Sequence, residues 1–146
     1  MKQKYHLLIS AIIFCEFFIV WPSLSAPKPK VVSAVFTTAI KSLAPIDQII
    51  LLGNDTRKIY FYSEVKNLKN KKIIHRWEYN GQVVLSRKFN IKKLRQSIYS
   101  SKSLSSDQLG IWRVVISTAE GWPLKSVIFK YVDSEIDQQA ILSWPN

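Results

Sequence analysis

The chain has 146 residues, with 21 Lys+Arg against 10 Asp+Glu, two His, one Cys and a formal net charge of +11. That length fits one domain rather than two of ordinary size. A hydrophobic share of 47% excludes a disordered chain, which lacks the apolar surface to offset ordering entropy. The single Cys excludes an internal disulfide, and with two His it leaves too few ligands for a Cys/His zinc site.

Residues 1–25 read as a signal peptide. Met1-Lys2-Gln3-Lys4 is a short basic start, Leu7 to Trp21 is an apolar run, and Pro22-Ser23-Leu24-Ser25-Ala26 supplies small residues, with Ser at −1 and −3 for cleavage after Ser25. The alternative is an uncleaved anchor. The run is only 15 residues (7 to 21) and contains Glu16, whereas a spanning helix wants about 20 apolar residues. Cys15 follows Phe14, where a lipoprotein signal wants a small residue, so lipidation is not expected. The expected location is the periplasm or the medium, with inner-membrane anchoring through residues 7–21 as the alternative. Cleavage would leave 121 residues (146 − 25), no Cys and a charge of +10 (19 − 9). Such a chain is held by core packing alone, which is feasible at that size.

Residues 26–30, Ala-Pro-Lys-Pro-Lys, are an extended linker, because each Pro restricts itself and its predecessor. Beyond them the period-two alternation of half-buried strands sets in. From 31 to 40 one face carries Val32, Ala34, Phe36, Thr38 and Ile40. Ile46 to Leu52 is an apolar run closed by the turn Gly53-Asn54-Asp55-Thr56. That turn also fits the N-glycosylation pattern, and it reads simply as a turn. Arg57 to Val65 alternates, with Ile59 and Phe61 opposed to Tyr60, Tyr62 and Glu64. After a turn at 67–70, Lys71 to Tyr79 puts Ile73, His75, Trp77 and Tyr79 on one face.

Asn80-Gly81 marks a hairpin, since both residues tolerate positive φ. A three-residue or bulged loop pairs Tyr79 with Val83, Trp77 with Leu85 and Ile73 with Phe89, gathering the apolar side chains on one face. A one-residue slip would scatter them. A basic connection follows, then a weaker strand over 95–100 and a polar, Ser-rich loop over 100–107. Ile111 to Thr118 buries Trp112, Val114 and Ile116. After a turn at 119–123, Leu124 to Val132 buries Val127, Phe129 and Tyr131. In the tail, 133–146, Ser134 could cap a short helix bearing Ile136, Ala140, Ile141 and Trp144, or the tail could fray. The expected fold is all-β: an antiparallel immunoglobulin-like sandwich of about seven to eight strands over 31–132, preceded by an N-terminal signal helix.

Several of these segments fall in a familiar order: Val35-Phe36-Thr37-Thr38-Ala39-Ile40, the Gly53–Thr56 turn with Ile59-Tyr60-Phe61-Tyr62-Ser63-Glu64 after it, His75-Arg76-Trp77-Glu78-Tyr79-Asn80-Gly81, Ser100-Ser101-Lys102 and Gly110-Ile111-Trp112-Arg113-Val114. Together they resemble the bacterial domain of unknown function 2914 over about residues 31 to 132. The resemblance implies an exported or membrane-tethered domain of a Gram-negative cell envelope and carries no catalytic residue. The chain departs from the family pattern at Lys92-Lys93-Leu94-Arg95, where the family tends to have Gly and Trp.

Enzymatic motifs are absent: there is no GxSxG, HExxH or phosphate-binding Gly loop. Carboxylates that a hydrolase could draw on are Asp47, Asp55, Glu64, Glu78 and Asp107, but no spacing favours a pair. His75, alone beyond residue 25, reads as a structural histidine beside Trp77, because zinc needs three or four protein ligands. No metal, cofactor or catalytic residue is expected. Tyr60 and Tyr62, outward on their strand, could stack on a sugar or peptide. Arg76 could recognise a carboxylate or phosphate, or pair with Glu78.

The positive charge is local. Residues 57–102 hold 13 Lys+Arg against Glu64 and Glu78, a net of +11 (13 − 2). Within them Lys69, Lys71, Lys72, Arg87, Lys88, Lys92, Lys93 and Arg95 are the candidate polyanion-binding residues. A solvated, compositional lysine surface is the alternative. The expectation is an exported, non-enzymatic binding domain of the cell envelope whose partner is a protein or polymer. The alternative is a binder of polyanions or anionic membrane, such as lipopolysaccharide phosphate, through 57–102. A hydrolase comes third. Export argues against nucleic acid, and the oligomeric state is left open.

Overall fold

The structure is a computed structural model that describes residues 25–135. The signal segment, its anchor alternative and most of the tail lie outside these residues. No helix among them is long and apolar enough to cross a membrane.

Ten strands run in chain order: β1 (Lys30–Thr37), β2 (Ile40–Lys41), β3 (Ala44–Pro45), β4 (Leu51–Gly53), β5 (Lys58–Lys66), β6 (Lys72–Tyr79), β7 (Gln82–Asn90), β8 (Arg95–Ser103), β9 (Gly110–Thr118) and β10 (Pro123–Val132). They form a three-stranded sheet, β1-β5-β8, a five-stranded sheet, β4-β10-β9-β6-β7, and the small ribbon β2-β3. The all-β expectation holds. Every pairing is antiparallel except β4 with β10, which is parallel. That exception is short: three residue pairs close the edge of the larger sheet.

The alternation places the core. Ile59, Phe61 and Val65 from β5 face Ile73, Trp77, Trp112, Val114, Ile116, Phe129 and Tyr131 from the other sheet in one buried cluster. Aromatic edges meet across the gap: Phe36 lies 5.6 Å from Trp77 and 4.7 Å from Phe129, centroid to centroid. Such edge-to-face contacts add to the area that each ring removes from water.

The hairpin register is the expected one through its body, with Trp77 opposite Leu85 and Ile73 opposite Phe89. Its tip differs. Asn80 and Gly81 both have positive φ, so two residues make the turn and Tyr79 meets Gln82, not Val83. A bulge between Trp77 and Glu78 then takes up the extra residue, which preserves the apolar face.

Three segments depart from expectation. A bulge between Val31 and Ser33 turns Val32 outward and packs Val31 against the core instead. The run 46–52 is mostly exposed; only Leu52 is buried, while Ile49 makes a single bridge to Phe36. The Ser-rich stretch continues as strand to Ser103, because β8 pairs with all nine residues of β5.

Asp47 anchors the crossing after β1. Its carboxylate accepts hydrogen bonds from the hydroxyls of Thr37 and Thr38 and from the Thr38 N–H. Burial works to raise its pKa, but the bonds from Thr37 and Thr38 outweigh it and hold the carboxyl below the usual range. A depressed folded-state pKa contributes stability that is present above the unfolded value and lost as pH falls through the folded one. Asp47→Asn should therefore cost about 1–2 kcal/mol at neutral pH and reduce the acid sensitivity of urea unfolding below about pH 4. Trp77→Ala should cost about 3–5 kcal/mol in the same measurement.

Candidate functional site

The sites read from the sequence do not form one place. Tyr60 and Tyr62 lie on the outer face of β5, whereas Arg76 lies on the outer face of β6, in the opposite sheet. Tyr62 is not exposed: it is 6% accessible, and its hydroxyl shares a 2.8 Å hydrogen bond with Ser97. Tyr60 is half-buried, with the Lys58 ammonium 5.1 Å from its ring. Tyr99, directly opposite Tyr62 on β8, is the exposed aromatic of this face. The Arg76 guanidinium donates to Glu78 at 2.9 Å, and Arg113 approaches the other oxygen of the same carboxylate at 3.7 Å. Arg76 is thus engaged on its own strand.

His75 is fully buried and reaches across the core. Its Nε2 lies 2.9 Å from the Ser63 hydroxyl and its Nδ1 3.0 Å from the Ser100 hydroxyl, which also accepts the Trp77 indole N–H at 2.9 Å. Phe61 and Phe89 cover the ring. Burial pushes its pKa down to about 3. No carboxylate is hydrogen-bonded to the ring, so the set ties the two sheets together without a Ser-His-Asp arrangement.

Two clefts flank the core. One, of about 220 Å³, opens at the seam between the edge strands β7 and β8 and is lined by Arg87, Phe89, Tyr99, Ser100 and Ser101. The other, of about 340 Å³, lies at one end of the domain among Asn54, Asp55, Arg57, Ser106, Asp133, Ser134 and Glu135. There Asn54 Oδ1 accepts from the Ser134 N–H and hydroxyl. Ser134 is therefore spent on Asn54, and the Asp133 carboxylate accepts the Glu135 N–H in its place. No group of three or more potential metal ligands occurs among the described residues.

The strongest arrangement is electrostatic. Strand register sorts the charges by end. Lys72 pairs with Asn90, Lys30 with Lys66, Lys66 with Arg95, and Ile73 with Thr118. The turns at 67–71, 91–94 and 119–122 and the entry to β1 therefore share one end. Seven of the eight cations singled out from the sequence sit there or within three residues of it: Lys69, Lys71, Lys72, Lys88, Lys92, Lys93 and Arg95, all exposed. Arg87 stands apart, in the β7–β8 seam. Lys28, Lys30 and Lys66 join them. The carboxylates nearby are Glu64, which pairs with Arg95, and Glu120. Asp55, Asp133 and Glu135 line the larger cleft at the far end, Asp107 follows its Ser106, and Asp47 is held by Thr37 and Thr38 where β1 ends. The linear block 57–102 is thus not one patch, because Arg57, Lys58 and Lys102 lie at the far end among the carboxylates.

The basic end is built, not frayed. Asn67 N–H donates to Leu94 O, Asn70 N–H to Ile91 O, and Ile91 N–H to Lys71 O, at 2.8–3.0 Å. The Gln96 amide oxygen accepts the N–H groups of Lys92 and Lys93 at 2.8 and 3.3 Å. Leu68 and Ile91 plug the core beneath. Asn67 and Asn70 both hold positive φ, a conformation Asn tolerates better than most side chains. The lysines therefore stand on a fixed frame, which lowers the entropy cost of engaging an anion.

His75 has a pH signature. An unfolded histidine titrates near 6.5, and the folded one near 3, so between those values the unfolded chain binds the extra proton. Stability is fully present above about pH 6.5 and is lost on acidification, at up to about 1.4 kcal/mol per pH unit. His75→Gln should flatten that slope between pH 6.5 and 4 in chemical denaturation.

No curated protein matches the chain. The family match is narrower than the span of the sequence resemblance, since β1 to β5 lie outside it. It covers the β6–β7 hairpin with its core His75 and Trp77, the lysine loop 91–94, and strands β8 and β9. Residues 70–131 match the family described as Protein of unknown function (DUF2914), so the resemblance read from the sequence holds over the segment that carries both the central bridge and much of the basic end.

Proposed function

We propose that this is an exported, non-enzymatic binding domain of the cell envelope, and that its binding surface is the basic end. One observation carries the reading: register and turn geometry bring lysines from separate segments (28–30, 66–72 and 88–95) to one end beside only Glu64 and Glu120, while at the other end Arg57, Lys58 and Lys102 stand among the carboxylates. A field polarised in this way orients the domain towards an anionic partner before contact. The partner class is a phosphate-bearing envelope component. The sugar- or peptide-stacking reading of Tyr60 and Tyr62 loses support, because Tyr62 is covered. A hydrolase would have to use the cleft around Asp55, Asp133 and Glu135.

The finer fold assignment belongs to the same proposal. We infer an immunoglobulin-like sandwich from the strand order. β1, β5 and β8 face β10, β9 and β6, β7 extends the larger sheet as an added edge, and the buried Trp77 sits on β6, the strand next after β5. Immunoglobulin domains carry their core Trp on the corresponding strand.

The test is binding to lipopolysaccharide and to polyphosphate at low and high salt. Affinity should fall steeply as salt rises. Charge reversal at Lys92→Glu with Lys93→Glu should weaken binding by about tenfold or more, at roughly 1 kcal/mol per cation. An absence of binding to any polyanion at low salt would remove the proposal.

A further inference from the structure

The basic end also carries apolar side chains that charge alone does not explain. Trp122 is 73% exposed and Leu94 65% exposed. Trp122 sits at the β9–β10 turn, which is closed by Thr118 N–H to Trp122 O at 2.9 Å and Gly121 N–H to Thr118 O at 3.1 Å. Leu94 projects from the loop that Asn67 and Gln96 hold in place. Thr118 pairs with Ile73, next to Lys72, so the Trp turn and the lysine loops share one end. A bare phosphate polymer offers no apolar contact to an exposed Trp and Leu beside lysines. A bilayer surface does: Trp settles at the headgroup level and lysines engage lipid phosphates.

The chain's own entry points the same way. Lys28-Pro29-Lys30 leads into β1 at this end, and the Asn67 side-chain amide holds the Lys28 carbonyl at 3.0 Å. Whatever precedes residue 28 therefore leaves the domain at the basic end. If residues 7–21 were retained as an anchor, this end would be the one brought to the membrane. The acidic cleft would then face away from an anionic surface, as repulsion requires.

The geometry points to the basic end as a membrane-docking surface for anionic phospholipid, with Trp122 and Leu94 seated among the headgroups and the lysine loops on the phosphates. This deepens the polyanion reading and rests on it. The occupant is a bilayer and not a free phosphate polymer.

The experiment uses the protein purified in the form the cell holds. It is mixed with vesicles of phosphatidylcholine alone or of equal phosphatidylcholine and phosphatidylglycerol, with and without brominated acyl chains. Cosedimentation and tryptophan quenching are read at 50 and 500 mM salt, for wild type, Trp122→Phe and Trp122→Ala. The expected result is binding that favours the anionic vesicles and falls with salt. The fraction of fluorescence that bromine quenches should drop in Trp122→Phe. Trp122→Ala should bind about tenfold more weakly, the factor that partial burial of one large apolar side chain is worth. Because Trp122 is exposed, neither variant threatens the fold. The quenching difference between wild type and Trp122→Phe isolates Trp122 even if a retained apolar segment also inserts.

Binding to lipopolysaccharide or polyphosphate with no Trp122 quenching on vesicles would overturn the membrane inference and leave the polyanion reading standing. Equal vesicle binding by wild type and Trp122→Ala would do the same. No binding to vesicles or to either polyanion at 50 mM salt would overturn both.

Discussion

The hydrogen bonds from His75 and Trp77 to Ser63 and Ser100 are the constraint on which the rest of the domain depends. Two sheets with apolar inner faces can slide over one another at little cost, since hydrophobic burial is non-directional. Four polar groups buried at the centre remove that freedom. The Trp77 indole N–H needs an acceptor, and Ser100 on β8 provides it; the His75 ring then takes up Ser100 and Ser63 together. Breaking any one contact leaves a buried polar group unsatisfied, at a cost of about 1–3 kcal/mol. The sheets are held in a single relative position without a disulfide.

That fixed position has a consequence for charge. Once β6 is set against β5 and β8, the turns at 67–71 and 91–94 must meet, and their backbones exchange three hydrogen bonds. The cations on those turns are brought together by core geometry rather than by mutual attraction. Their repulsion is tolerated because the loops are tied to Leu68, Ile91 and Gln96. A surface whose charge is held against its own repulsion is preorganised for an anion. The same argument separates the ends: strands of eight to ten residues keep the lysine turns and the carboxylates around Asn54 at opposite limits of the domain.

Where the fold was legible in the sequence, one local rule sufficed. Period-two alternation placed the buried faces of β5, β6 and β9, and the apolar match across Asn80-Gly81 gave the hairpin register. The misreadings share a cause: contacts from far along the chain. β4 is three residues long and gains its partner from β10, and the exposure of Ile50 beside it follows no local pattern. The sequence reads β8 as a weaker strand that stops at Ser100, because serine is a poor strand former, whereas it runs on to Ser103. Its hydroxyls become assets only when His75 and Tyr62 are placed against Ser100 and Ser97. The site was half legible. Clustering of lysines in the linear sequence was visible, but the addition of Lys28, Lys30 and Trp122 and the loss of Arg57, Lys58 and Lys102 to the far end need the register of four strand pairs.

The central claim is that one end of the domain meets an anionic surface while the other does not. Amide chemical shifts followed during titration with small anionic bicelles measure this residue by residue. Perturbations should concentrate in 67–72, 91–95 and 119–122, with those of 54–57 and 104–109 unchanged. Shifts centred on the Arg87–Tyr99 seam or on the cleft around Asn54 would contradict it.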